Sequence, residues 1–216
     1  MDAATTKRTT GSYYRIALAL AVFTIVYNLL EGLVSVYFGY KDETLVLFGF
    51  GMDSFIETIS GLGVLFMVLR IMRDGVSKRA QFEKLALRIT GGSFYVLAAG
   101  LVFSGAYNFY TQQKPETTIV GVIISLISIL IMLLLVYGKT TVGNALNSDA
   151  IIADAACTKV CIYMSVILLA SSLLYTIVPW GGFDAIGALG LAWFSLQEGR
   201  ECFEKTKKDI YCSCNH

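Results

Sequence analysis

Long apolar runs separated by short polar clusters occupy nearly the whole chain. Six of them, 13–40, 44–72, 83–110, 117–139, 151–178 and 182–203, are long enough to cross a bilayer as helices. Such a crossing needs roughly 20 residues, because each contributes only about 1.5 Å of rise. The fourth run has no charged residue from 117 to 138. None shows the alternating ten-residue segments and frequent turns of a membrane β-barrel. The pattern predicts an all-α membrane protein with six transmembrane helices.

Composition agrees with lipid as the solvent. Of 216 residues, 56% are hydrophobic and 15% charged, against about 45–50% and about 25% in soluble domains. Disorder, a collagen-like fibre and a water-soluble enzyme are poor fits. A net charge of +1, with no basic stripe interleaved with aromatics, excludes nucleic acid as a partner. The polar start, 1–12, lacks the cleavage pattern of a removable signal peptide.

Fourteen of the 17 basic residues fall on one side of the predicted spans, from Lys7, Arg8 and Arg15 through the cluster at 70–88 and Lys139 to the end of the chain. The positive-inside rule then makes both termini cytoplasmic. The organisation expected is a cytoplasmic segment at 1–12, a membrane domain at 13–204 and a short Cys/His tail at 205–216.

Candidate chemistry lies where lipid disfavours it. A carboxylate at mid-bilayer costs about 2.5–3.5 kcal/mol on insertion scales, so intramembrane acids are functional candidates. Asp53 and Glu57 stand four apart in the second run and share a helix face. Two like charges at low dielectric need protonation, solvation or a bridging cation. Gly49, Gly51 and Ser54 beside them suit close helix contact. In the fifth run Cys157 and Cys161 also share a face, and two thiols with two carboxylates could supply a tetrahedral divalent-metal site. Thiolates favour Zn²⁺ and softer ions over Mg²⁺ or Ca²⁺. The bland alternatives are buried cysteines acting as small hydrophobes and solvated acids near a helix end.

Asp154, three before Cys157, is a further ligand, a supporting acceptor, a proton carrier or a helix-start acid. Lys159 falls roughly opposite the two thiols. Glu31, amid leucines in the first run, suggests a gating or proton role. Cys212, Cys214 and His216 gather three soft donors in a tail that either captures metal or is an unordered end. Cys202 receives no role. The five cysteines cannot all pair within one chain and do not form an extracellular disulfide framework.

The segment Asp53-Ser54-Phe55-Ile56-Glu57 resembles the second-helix metal motif of cation diffusion facilitators. Ala153-Asp154-Ala155-Ala156-Cys157-Thr158-Lys159-Val160-Cys161 is similar to their fifth-helix motif, with Cys157 at the histidine position and Cys161 at the aspartate position. Phe183-Asp184-Ala185-Ile186 and Gln197-Glu198-Gly199 resemble their sixth helix. The resemblance implies a cation-efflux-type transmembrane domain that moves divalent metal, usually Zn²⁺, in exchange for protons. It further implies a homodimer, with no prosthetic group and no enzymatic activity, and the compact chain suggests a cell membrane. The family's cytoplasmic metal-binding domain is not expected here. Glutamate at 57 and the two cysteines depart from the usual ligands. Competing readings are a membrane metal sensor that binds without translocating, and a thiol oxidoreductase using Cys157 and Cys161. These thiols lie about 6 Å apart by helix geometry, near the limit for a disulfide.

Overall fold

A computed structural model describes residues 3–41, 45–75, 78–111, 119–177 and 182–207. These residues form six α-helices: α1 (Ala3–Lys41), α2 (Leu45–Asp74), α3 (Arg79–Thr111), α4 (Ile119–Leu146), α5 (Asp149–Ile177) and α6 (Gly182–Lys207). All six apolar runs become helices because, in hydrocarbon, only internal pairing satisfies every backbone amide and carbonyl. Four helices contain segments long and apolar enough to cross a membrane: Gly11–Phe38, Gly49–Asp74, Arg79–Tyr107 and Val122–Leu146. Neither α5 nor α6 has such a segment among the described residues.

One helix, α5, sits among four others. α5 packs against α2, α3, α4 and α6, while α1 packs on α2 and α4. Outer faces carry apolar side chains, including Val22, Phe23, Val26 and Leu30 on α1 and Ile127, Leu130 and Leu134 on α4. The interior combines an apolar core around Val68, Phe94 and Val160 with buried hydroxyls, acids and one lysine. Hydrophobic surface outside and polar groups inside reverse the soluble pattern, as expected where lipid is the solvent.

Close approach of α1 to α2 depends on two glycines. A Cβ at Gly51 would lie 2.8 Å from Val36 Cγ2 and 2.9 Å from the Gly32 carbonyl oxygen. Gly49, also expected to line a contact, meets no described atom within 4 Å. Cys202 is buried between α3 and α6, where a Cβ on Gly91 would reach within 3.0 Å of it.

The α4–α5 connection is tight. Asn147 adopts a left-handed φ of 47°, and the Ser148 amide donates to the Gly143 carbonyl at 2.9 Å. Arg79 at the start of α3 donates to the Leu146 and Asn147 carbonyls, satisfying acceptors that a helix end leaves free. Lys205 ties α6 to Asp149 at 3.7 Å. Asp149 is thus the acid of the first turn of α5, and Asp154 lies deeper.

One expectation is corrected. Lys139 does not end the fourth helix on the cytoplasmic flank, because α4 continues to Leu146 and Lys139 is only 2% exposed. Its buried partners, described below, hold it in the bundle and remove it from the orientation count.

Candidate functional site

Three helices build the site, and its main axis is the antiparallel seam between α2 and α5. Asp53, Glu57 and Ser60 recur on α2 at spacings of four and three, which keeps them on one face. Asp154, Thr158 and Cys161 do the same on α5. The two faces meet in register: Asp53 faces Cys161, Thr158 bonds with Glu57, and Ser60 bonds with Asp154. Every one of these side chains is buried, and Glu57, Ser60, Cys157 and Thr158 are fully so.

At the Asp53 end, the carboxylate faces the Cys161 thiol, and Asp53 Oδ1 has no hydrogen-bond partner. In the middle, Thr158 donates through its hydroxyl to Glu57 Oε1, while Glu57 Oε2 is unpartnered. Cys157 lies among the same charges, interacting electrostatically with Glu57, Asp53 and Asp154. At the third rung Ser60 donates to Asp154 Oδ1 at 2.7 Å, and Thr90 of α3 meets Ser60 at 3.0 Å.

Lys139 enters this seam from α4. Its ammonium lies 2.8 Å from Asp154 Oδ2 and 3.7 Å from Glu57 Oε1, and it donates to the Thr158 hydroxyl at 2.8 Å. Asp154 therefore has both oxygens engaged. This arrangement distinguishes it from a helix-start acid and from Asp53 and Glu57, each of which keeps an open oxygen. Lys159 is elsewhere, half-buried and within electrostatic reach of Glu198 on α6.

Glu31 occupies a separate polar cluster between α1, α2 and α4. Tyr27 donates to Oε1 at 2.8 Å and Ser54 to Oε2 at 3.0 Å, with Ser128 of α4 near the carboxylate. Asn28, Thr24 and Ser35 extend this buried face of α1 with side-chain polar atoms that have no described partner.

The structure thus brings Asp53, Glu57, Asp154, Cys157 and Cys161 to one seam and keeps Glu31 beside it. Among the described residues, no three His, Cys, Asp or Glu side chains close around one point in ion-holding geometry. Instead, Lys139 and Thr158 bridge Asp154 and Glu57. Cys157, Cys161 and Cys202 are free thiols. The tail donors Cys212, Cys214 and His216, and the Asp184 side chain, lie outside the described residues.

Sequence reading did not select Lys139, Thr158, Ser60 or Thr90. Ser60 and Thr158 were detectable in principle, since each continues the face of an acid already singled out. Lys139 offered no such signal, because a lysine after a leucine-rich run ordinarily marks a membrane boundary.

The cation efflux transmembrane domain, as a family model, matches residues 17–210. Among curated proteins none matches the chain. A seam of buried acids and thiols inside a helical bundle with an apolar exterior suits the passage of a cation through lipid, and the family match covers that entire seam. The chain belongs to the cation-efflux family, multi-pass membrane proteins that transport metal cations and are not enzymes.

Proposed function

We propose that this protein exports a divalent transition metal, Zn²⁺ or an ion of similar softness, across a cell membrane in exchange for protons. The ion rests in the α2–α5 seam, held by Asp53, Glu57, Cys157 and Cys161. Two buried carboxylate oxygens without partners, Asp53 Oδ1 and Glu57 Oε2, carry this reading. A buried acceptor left open is costly, and a cation offsets that cost. Thiols on the facing helix bias the choice toward zinc-like ions.

Both donor types bind metal in their deprotonated forms, so loading releases protons and reprotonation favours release. Competition at a single site couples the two fluxes. Lower pH on the loading side therefore reduces metal uptake. Alternating access then requires α2 and α5 to expose the seam first to one side and then to the other. Six crossings, cytoplasmic termini and a homodimer complete the proposed assembly. Glu31, adjacent to the seam, is assigned the gating or proton role, and Asp154 stands at the edge of the ligand set.

Purified protein in liposomes containing metal- and pH-sensitive dyes provides the test. Zn²⁺ addition should drive metal and proton fluxes in opposite directions. Replacing both thiols, C157A together with C161A, should slow Zn²⁺ flux by at least on the order of ten-fold, since even residues supporting a ligand typically matter by about 10–100-fold. Wild-type flux in that double variant would remove the seam from the pathway. Stoichiometric metal binding without flux would instead make the protein a membrane metal binder.

A further inference from the structure

We propose that Lys139 is a tethered counter-cation that sets the charge of the metal seam, with Asp154 serving as its anchor rather than as a ligand of the transported ion. This inference rests on the seam being the metal site. Lys139 is the only buried lysine or arginine among the described residues. Its ammonium reaches between three helices and contacts Asp154 more closely than Glu57, at 2.8 Å against 3.7 Å.

The hydrogen bonds divide the carboxylates in the same way. Both Asp154 oxygens are occupied, one by Lys139 and one by Ser60. Asp53 and Glu57 each keep an open oxygen. An incoming ion therefore has to loosen only the longer Lys139–Glu57 contact, leaving the Asp154 anchor in place.

The charge balance makes this division useful. Three carboxylates, Asp53, Glu57 and Asp154, and two thiols gather around one ammonium, Lys139, so Lys139 offsets part of the negative charge that the seam collects when its donors deprotonate. Without Lys139 the seam would hold one more uncompensated charge, a severe penalty away from water. Lys139 also repels ions that approach Glu57, so it weakens binding and eases release. Its residence in the seam makes the site suited to moving an ion rather than retaining it.

The test titrates Cd²⁺ into protein in lipid nanodiscs and follows the ultraviolet charge-transfer band of cadmium bound to thiolate. Lys139→Met should tighten Cd²⁺ binding on the order of ten-fold or more, because it removes a unit positive charge a few ångströms from the ion. Asp154→Asn should weaken binding, because the ammonium loses its closer anchor and bears on Glu57. The double variant, Lys139→Met with Asp154→Asn, should return to near wild-type affinity. Direct ligation by Asp154 makes the opposite prediction: the double variant stays as weak as Asp154→Asn. That result overturns the proposal, as does unchanged or weaker binding in Lys139→Met.

Should Lys139→Met alone fail to yield monodisperse protein, the charge-balanced double variant decides, with near wild-type affinity supporting the proposal and weak binding overturning it. A wild-type protein with no cadmium–thiolate band refutes the metal seam and this inference with it. A wild-type band with unresponsive Lys139 variants refutes the inference alone.

Discussion

Glu31 illustrates how a single acid survives inside the membrane. Its carboxylate accepts from hydroxyls on two helices, Tyr27 at Oε1 and Ser54 at Oε2, so both oxygens are satisfied without a cation. Removing one donor tests this arrangement. Tyr27→Phe preserves the ring but leaves Oε1 short of a partner, which should lower stability by about 1–3 kcal/mol. Denaturant unfolding in detergent would measure the loss, and an unchanged midpoint would show that water replaces the phenol at no cost. The contrast with Asp53 and Glu57 is informative, since these acids retain open oxygens at comparable burial. Hydroxyls such as Thr158 were illegible in sequence because threonine in a membrane helix usually bonds to the carbonyl four residues earlier. Thr158 lies within 3.3 Å of such a carbonyl, at Asp154, yet also links Lys139 to Glu57.

Among the helices, the α1–α2 contact fixes where Glu31 stands relative to the seam. Gly51 is its tightest point, since two of the atoms that an added Cβ would meet, the Gly32 oxygen and the Val36 nitrogen, are backbone. Backbone cannot rotate away as a side chain can. Gly51→Ala should therefore separate the helices and destabilise the protein by about 1–3 kcal/mol, the usual range for overpacking. Gly49→Ala, two residues earlier, should change stability by no more than about 0.5 kcal/mol. Thermal unfolding of both variants checks the pair, and equal losses would contradict the assigned contact. Periodicity predicted the two-carboxylate and two-thiol faces because a spacing of four is a property of one helix. It could not tell Gly51 from Gly49, because that distinction belongs to the partner helix.

For the whole molecule, the arrangement of the bundle explains how a helix with Asp154 and Lys159 can lie in a membrane protein. α5 contacts four other helices and shields its acids from lipid. If α5 and α6 both cross, protease-cleavable tags at the two termini should be cut from the same, cytoplasmic, side in oriented membrane vesicles. Tags cut from opposite sides would mean that only one of the two crosses. Lys139 does not enter this topology, because its charge is spent inside the bundle rather than at the membrane surface.

The sequence by itself determined that six helices form, that the chain is a multi-pass membrane protein, and which acids and thiols share a face. These are local properties, set by the length of apolar runs and by the 3.6-residue period. Only the tertiary structure decided which faces meet, because burial of a charge is settled by what other helices bring to it. From its own neighbours alone, Asp154 is equally a ligand, a supporting acceptor, a proton carrier or a helix-start acid, and Lys139 is a boundary marker. Their true environment is one another, across α4 and α5, with Glu57 of α2 beside them. Three segments far apart in the chain share that electrostatic balance, and no window along a single helix contains it.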